Sequence, residues 1–183
     1  GCPVMYDNDE AVEHLQGIAD GFLVHNRDIV TRCDDSLLRV FDGQAYFLRR
    51  SRGYAPQPLF LQEDCTGVLA CGAEQKASFA LSKGRAFFLS QHIGDLKNAE
   101  TLSHYEGQIE HFQRLFGITP TRLVCDLHPD YFSTAYAQER CQREGLPLVQ
   151  VQHHHAHMAA CMADNRLDEP CIGVIWDGTG YGT

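Results

Sequence analysis

Four histidines within five positions carry the most definite chemistry in this sequence. They lie in the segment VQHHHAHMAACMA, residues 151–163, directly after a short apolar run. If the chain becomes helical near Gln152, His153 and His157 lie four residues apart on one face, where two imidazole nitrogens can bind one metal ion. His154 and His157, three residues apart, can share a face in the same way. An exposed helix with solvated, non-binding histidines is the alternative.

The segment WDGTGYGT, residues 176–183, adds a carboxylate and several glycines. Asp177 offers a hard third metal ligand, and the glycines allow backbone amides to approach phosphate oxygens closely. A short glycine-rich run after an apolar segment is most often only a turn, and the aspartate at its beginning is what favours a binding site. Together the two segments predict one site for a metal ion and a phosphate group.

Composition narrows the class of protein. The chain has 183 residues, 44% of them hydrophobic, which is enough for one full domain or two partial ones. Its net charge of −9 argues against a primary nucleic-acid or anionic-membrane surface. No apolar run approaches the ~18 residues of a membrane span, and no signal-peptide pattern opens the chain. We therefore expect a cytoplasmic protein.

Eight cysteines are scattered through the chain without any C-x-x-C pair. This distribution predicts reduced thiols that mostly fill the core, not a disulfide scaffold. Cys161 lies four residues after His157, on the predicted face of the metal site, but a packing role is favoured for it.

The first part of the chain predicts a helix and a hairpin. Apolar spacing predicts the helix over 9–23, and two apolar runs around Asp42-Gly43 predict a hairpin over 36–47. Arginines 49, 50 and 52 follow the hairpin and could clamp a phosphate or carboxylate; a solvated basic strand end is the alternative. The stretch 52–66 has two prolines and no clear period, and it separates two differently organised parts.

After residue 66 strands alternate with helices. Helices are predicted over 98–116, where Gly117 ends the helix, and over 131–144. Strands are predicted over 67–73, 78–81, 85–90, 123–125, 148–151 and 171–176. This order predicts an α/β protein with mixed sheets and helices packed on them. It fits the first half of an actin-like, ribonuclease H-like nucleotide-binding fold.

Seven segments, in the right order and over nearly the whole chain, resemble signature segments of the HypF family, the carbamoyltransferases of nickel-iron hydrogenase maturation. They are HNRDIVTRCDDSLLRV, FLRRSRGYAP, VLACGAEQKASFAL, LSQHIGDLKN, CDLHPDYFSTAYA, VQHHHAHMAACMA and WDGTGYGT. CDLHPDY and VQHHHAH are the most specific of these. The tRNA threonylcarbamoyl-transfer enzymes and antibiotic O-carbamoyltransferases, which share the catalytic fold, are more weakly similar.

The resemblance implies a division of the chain and a set of site residues. Residues 1–52 look like the C-terminal part of a YrdC-like domain, 53–66 like a linker, and 67–183 like the N-terminal part of an actin-like carbamoyltransferase domain. His153 and His157 fall on the family's metal-binding pair, and Asp177 falls on the aspartate that opens the phosphate loop. The implied nucleotide-binding residues are Gly178, Thr179, Gly180, Gly72, Lys76, Ser36, Arg49 and Arg50.

The resemblance also implies the reaction. HypF-type enzymes use carbamoyl phosphate and ATP to form carbamoyl adenylate, and they pass the carbamoyl group to the C-terminal cysteine of a HypE-type partner, a step toward the cyanide ligands of the nickel-iron site. The implied cofactors are ATP, Mg²⁺ and a divalent metal, zinc or iron, at the histidine pair. No membrane or nucleic-acid partner is implied.

Two rival hypotheses stay open from the sequence. One is a tRNA threonylcarbamoyl-transfer enzyme, against which the acidic charge counts. The other is a non-catalytic metal- or nucleotide-binding module. Because HypF-type proteins are far longer than this chain, we expect the isolated 183-residue polypeptide to be inactive or poorly folded, with apolar surface left uncovered.

Overall fold

The computed structural model describes residues 5–178, 180 and 181, and these form two compact units divided between Cys33 and Asp34. The described helices and strands, in chain order, are α1 (Asn8–Leu15), β1 (Leu37–Phe41), β2 (Gln44–Arg49), β3 (Pro58–Phe60), β4 (Val68–Ala70), β5 (Ala80–Lys83), β6 (Ala86–Leu89), α2 (Ala99–Phe116), β7 (Arg122–Asp126), α3 (Phe132–Glu144), β8 (Leu148–Val151) and α4 (His153–Asp164).

The first unit contains the short helix α1. The Asp7 side chain caps it by accepting hydrogen bonds from the first backbone N–H groups of the helix. The prediction of a helix as far as residue 23 is wrong. Gln16 is extended and Gly17 adopts a left-handed φ of 87°, so the backbone leaves the helix before the later apolar residues are reached.

The hairpin β1–β2 opens the second unit and confirms the prediction around Asp42-Gly43. The strands pair in antiparallel register, with Phe41 opposite Gln44. Asp42 has a φ of 49° and Gly43 a φ of 72°. Two successive positive φ values are what a two-residue hairpin turn requires, and an Asp-Gly pair meets that requirement at low steric cost.

Six strands of the second unit form one mixed sheet in the order β3-β6-β5-β4-β7-β8. The strands from β3 to β4 in this order pair antiparallel, and β4, β7 and β8 run parallel to one another. The mixed α/β class predicted from the alternation of strands and helices is confirmed. Strand β3 lies within the stretch 52–66, in which the sequence shows no period. A strand of three residues is too short to produce a periodic pattern. The proline of β3 sits at the edge of the sheet, where a missing N–H is tolerated.

Helix α2 packs on the sheet and supplies most of the aromatic core. Asn98, predicted as the first residue of the helix, caps its first turn, and Gly117 ends it in a left-handed conformation, as the sequence predicted. The rings of Phe79, Tyr105 and Phe112 meet edge to face, with 5.0 Å between the centroids of Phe79 and Phe112. The Tyr105 hydroxyl donates to the Cys71 carbonyl at 2.7 Å. None of the described helices is long and apolar enough to cross a membrane.

The cysteines divide by burial, and all seven in the described part of the chain are free thiols. Cys71, Cys125 and Cys141 are buried in the core, as predicted. Burial raises the pKa of Cys71 to about 12 and that of Cys125 to about 11. Cys33 and Cys65 are half-buried, and Cys161 and Cys171 are exposed, so core filling accounts for fewer cysteines than expected.

The prediction of a strand over 171–176 is wrong. Residues 171–177 have no regular secondary structure, and the side chains of Ile172 and Trp176 are 97% and 94% exposed. A strand is stable only when a neighbour takes up its backbone hydrogen bonds. The two described sheets consist of the eight strands named above, and this segment joins neither.

Candidate metal centre

Two parallel strands bring the candidate site together at their carboxyl ends. Strand β7 ends at Asp126, which is in register with Val151 at the end of β8. Helix α4 begins two residues later at His153, and the Gln152 side chain caps it by accepting a hydrogen bond from the His155 N–H at 2.8 Å. The sheet register therefore places the CDLHPDY and VQHHHAH segments side by side.

His153, His157 and Asp177 converge within this edge, their ligand atoms all within 4.8 Å of one another. The Nε2 atom of His153 lies 3.2 Å from Nε2 of His157 and 3.0 Å from Oδ2 of Asp177, and the third separation, His157 to Asp177, is 3.8 Å. Ligands held tetrahedrally around zinc at its usual bond lengths are about 3.3 Å apart. The three atoms therefore have the spacing of ligands to a single ion.

The protonation pattern of His153 also suits a cation. Its Nδ1 atom lies 2.6 Å from the buried Oδ2 of Asp126, which can only accept a hydrogen bond when ionised. In the neutral ring the proton therefore sits on Nδ1, and Nε2 turns a lone pair toward the Asp177 carboxylate. Two facing acceptors repel unless a proton or a metal ion lies between them. Two imidazoles and one carboxylate fit a divalent ion with open coordination positions, and zinc and iron suit the set equally.

The neighbouring histidines and cysteine take other positions. His154 Nε2 lies 3.7 Å from Asp177 Oδ2, and its Nδ1 is 2.8 Å from Nε2 of Gln152. His155 is exposed. Cys161 is not among the three clustered ligands, and its sulfur contacts Asn165. Of the two histidine pairings open from spacing, the structure thus groups His153 with His157.

The glycine-rich run passes against this cluster. A Cβ atom on Gly180 would lie 2.6 Å from Nε2 of His154 and 2.8 Å from Cδ2 of His153, and would also overlap the Asp177 carboxylate. A side chain at this position would therefore push these three side chains out of their places. A Cβ atom on Gly178 would meet no atom within 4 Å. Thr179, which the sequence assigned to the nucleotide site, lies outside the described residues.

Gly72 and Lys76 lie in the turn that follows β4. Gly72 has a φ of 69°, and a Cβ atom there would overlap the carbonyl oxygen of Ser78, so glycine is required for the turn to close. Its own carbonyl accepts a hydrogen bond from the Ser133 hydroxyl at 3.2 Å. Lys76 is exposed.

His92 is affected by two of these basic residues. Burial lowers the pKa of His92, and the charges of Arg49 and Lys76 lower it further.

Ser36, Arg49 and Arg50 make local contacts at the open end of the hairpin, where β1 begins and β2 ends. The Ser36 hydroxyl donates to the Arg52 carbonyl at 2.9 Å and accepts from the Ser51 N–H at 2.8 Å. Arg49 pairs with Asp34 at 3.3 Å. Arg50 donates to the Gln57 carbonyl at 2.6 Å, and burial lowers its pKa. Of its guanidinium nitrogens, Nη1 is buried without a hydrogen-bond partner in the described structure.

Three residues of the site were not singled out by the sequence. Asp126 holds the His153 ring, and Tyr131 lies with its ring centroid 6.4 Å from that of His153. Burial, reinforced by the charges of Asp126 and Asp177, raises the pKa of Tyr131. Glu74 is 2% exposed and accepts from the Phe132 N–H at 2.8 Å, so it caps α3 from 58 residues away. A polar residue at the carboxyl end of a buried strand was the available signal for Asp126.

Comparison with known proteins shows which family this chain is similar to. The family model described as "HypF Kae1-like domain" matches residues 63–164. Carbamoyltransferase HypF2 of Cupriavidus necator is 46% identical over 186 residues, covering 100% of this chain and 23% of its own length. Carbamoyltransferase HypF of Synechocystis sp. is 45% identical, with 100% and 24% coverage. The chain thus spans about a quarter of the length of these relatives.

Two solved structures share the fold closely. A crystal structure of full-length HypF in the phosphate- and nucleotide-bound form superposes with a TM-score of 0.91 at 47% identity, covering 99% of this chain and 28% of that one. The crystal structure of T. kodakarensis HypF gives a TM-score of 0.91 at 40% identity, covering 100% and 24%. With whole-chain identities this high and a family model that matches more than half of its residues, the chain belongs to the HypF family.

Proposed function

We propose that this chain carries the metal-binding part of the active site of an ATP-dependent carbamoyltransferase. The observation that supports this most directly is the spacing of 3.0–3.8 Å among Nε2 of His153, Nε2 of His157 and Oδ2 of Asp177. The relatives that span the whole chain are named carbamoyltransferases. We therefore place the carbamoyl-transfer step at the site formed by these three ligands.

The three ligands would hold a divalent ion, zinc or iron, which would supply Lewis acidity to a carbamoyl or phosphate oxygen. Gly180 keeps the backbone of the glycine-rich run close to these ligands, since any side chain at that position would displace them. Tyr131 is protonated at neutral pH, as tyrosine ordinarily is, and its raised pKa keeps it protonated further into the alkaline range, so its hydroxyl is available as a hydrogen-bond donor beside the site.

ATP, with Mg²⁺, is the nucleotide we propose. The relative whose crystal structure is nucleotide- and phosphate-bound supports this choice. We assign the phosphates to Gly178, Thr179 and Gly180 and to the turn that carries Gly72 and Lys76. Ser36, Arg49 and Arg50, at the open end of the hairpin, are proposed to hold the adenylate where residues 1–52 close a YrdC-like domain. Residues 53–66 would then link this part to the carbamoyltransferase domain from residue 67 onward.

The proposed reaction has three steps. Carbamoyl phosphate and water give carbamate and inorganic phosphate. Carbamate attacks the α-phosphate of ATP, forming carbamoyl adenylate and releasing pyrophosphate. The thiolate of the C-terminal cysteine of a HypE-type maturation protein then attacks the carbamoyl carbon, forming a thiocarbamate and releasing AMP. No cysteine of this chain is needed as a nucleophile, and the most buried thiol, Cys71, is unsuited because its pKa is raised to about 12.

The test is carbamoyl phosphate-dependent exchange of labelled pyrophosphate into ATP by the full-length protein. Transfer to the C-terminal cysteine of the partner is followed in parallel by mass spectrometry, with a His153→Ala/His157→Ala variant alongside. We expect exchange in the wild type and loss of transfer in the variant.

Absence of exchange with carbamoyl phosphate, together with adenylate formation from bicarbonate and threonine, would move the protein to the tRNA-modifying class. Metal binding without turnover of any nucleotide would instead indicate a binding module. Normal transfer by the double variant would contradict the role given to the histidines.

A further inference from the structure

We propose that Asp126 is the positioning residue of the metal site: it holds the His153 ring by Nδ1, so that Nε2 faces His157 and Asp177. This inference deepens the proposed function and rests on the metal site within it. Asp126 would not touch the ion or the substrate and would act only through His153.

The contact is short and shielded from water. Oδ2 of Asp126 lies 2.6 Å from Nδ1 of His153, and the two side chains are 5% and 14% exposed. An ionised carboxylate only accepts hydrogen bonds, so Nδ1 must donate and the lone pair of the neutral ring is left on Nε2. A histidine that binds a metal through one nitrogen generally needs such a partner on the other, because the ring otherwise rotates and populates both tautomers.

Asp126 is itself fixed on the sheet. Its other oxygen, Oδ1, accepts from the His128 N–H at 2.8 Å, and its backbone carbonyl accepts from the Thr134 hydroxyl at 3.2 Å. The parallel register pairs it with Val151, two residues before His153. Both ends of the hydrogen bond are therefore anchored to neighbouring strands, and rotation of the imidazole ring would break it.

Electrostatics favours the same role. A buried carboxylate is costly unless a positive or strongly donating group compensates for its lost hydration. The neutral imidazole N–H of His153 is a moderate donor on its own. A divalent ion on Nε2 would polarise the ring and strengthen the Nδ1–H bond to Asp126, so the carboxylate and the ion would stabilise each other through the ring.

The experiment compares metal affinity in four variants of the full-length protein: Asp126→Ala, Asp126→Asn, His153→Ala and Asp130→Asn. Zinc dissociation constants are measured by competition with a chromophoric chelator. Cobalt is bound in place of zinc to record the visible ligand-field spectrum, and the metal-free proteins are melted to compare their folding. Asp130 is the matched control, since it lies in the same loop and is exposed.

We expect Asp126→Ala to weaken zinc binding by about 10- to 100-fold and to change the cobalt spectrum. Asp126→Asn should also lose affinity and change the cobalt spectrum, though less, because a neutral amide oxygen accepts from Nδ1 more weakly than a carboxylate does. Asp130→Asn should match the wild type. His153→Ala should lose binding altogether.

Zinc affinity within about twofold of the wild type in both Asp126 variants, with binding lost in His153→Ala, would overturn the positioning role and leave the metal site standing. Unchanged affinity in His153→Ala would overturn the metal site and this inference with it. If Asp126→Ala melts far below the wild type, the Asp126→Asn spectrum decides: an unchanged spectrum and affinity there contradict the proposal, and a changed spectrum in a protein that melts normally supports it.

Discussion

The Nε2 atoms of His153 and His157 lie 3.2 Å apart, with the two rings nearly perpendicular at 81°. One turn of helix brings the residues to the same face, but rings one turn apart can also point away from each other. Here the hydrogen bond from His153 to Asp126 fixes the first ring, and Asp177 approaches the same Nε2 atom from another segment. The two nitrogens are therefore held at about the separation of two ligands of one ion.

Removal of either paired histidine should remove the metal. We expect His153→Ala and His157→Ala to contain little zinc or iron after purification and dialysis, and His155→Ala to contain as much as the wild type, because His155 does not belong to the cluster of His153, His157 and Asp177. Elemental analysis of the full-length variants makes the comparison. Equal loss in all three would show that the histidine segment matters only for folding.

A side chain at Gly180 should disturb the ligands. Its Cβ atom would lie 2.6 Å from His154 and 2.8 Å from His153, whereas one at Gly178 meets nothing within 4 Å. We expect Gly180→Ala to weaken zinc binding by about tenfold or more and Gly178→Ala to leave it unchanged. Chelator competition measures both. Identical affinities for the two variants would mean that the run does not lie against the site in solution.

Substitution of Gly72, in the turn after β4, can be compared with substitution of Gly84, in the turn between β5 and β6. Both have positive φ, 69° and 60°, but only at Gly72 would a Cβ atom collide, with the Ser78 carbonyl oxygen. Gly84→Ala should lower the free energy of unfolding by about 1–2 kcal/mol, the cost of a left-handed alanine. Gly72→Ala should cost about 1–3 kcal/mol more because of the collision. Urea unfolding measures the free energy of unfolding of both variants. Equal losses of stability in Gly72→Ala and Gly84→Ala would contradict the prediction.

The thiols should differ in reactivity. Burial raises the pKa of Cys71 to about 12 and that of Cys125 to about 11. A raised thiol pKa lowers the thiolate fraction at a given pH, to about one in ten thousand for Cys71 at pH 8. We expect iodoacetamide to modify the exposed Cys161 and Cys171 in the native chain and to reach Cys71 only after unfolding in urea. Peptide mass spectrometry identifies the sites; rapid native alkylation of Cys71 would be inconsistent with this core.

Trp176 is the sole tryptophan of the sequence, so its fluorescence measures the solvent exposure of the apolar segment 171–176. It is 94% exposed, beside Ile172 at 97% and Val174 at 75%. In the isolated 183-residue polypeptide we expect its fluorescence to be red-shifted and freely quenched by iodide, with binding of a hydrophobic dye. A blue-shifted, protected tryptophan and a cooperative melt of this polypeptide would contradict the expectation that it is poorly folded alone.

Much of the architecture followed from local chemistry. The Asp42-Gly43 turn, the Asn98 and Gly117 ends of α2, and the strands around Leu123 and Leu148 were all predictable, because caps, turns and apolar periods act over a few residues. The two failures have different causes. The helix expected to reach residue 23 is ended by backbone geometry at Gln16 and Gly17, and the segment 171–176 has strand composition but joins neither described sheet.

The sequence by itself predicted the kinds of candidate ligand, the one-turn spacing of His153 and His157, and a glycine-rich run after Asp177. Only the tertiary structure decided that Asp126 would orient the ring, that Gly180 would pass against the ligands, and that Glu74 would cap α3 from across the sheet. Those relationships join residues 26 to 58 positions apart. They depend on the order and register of β4, β7 and β8, which are set by packing between distant segments and leave no periodic signal in any one of them.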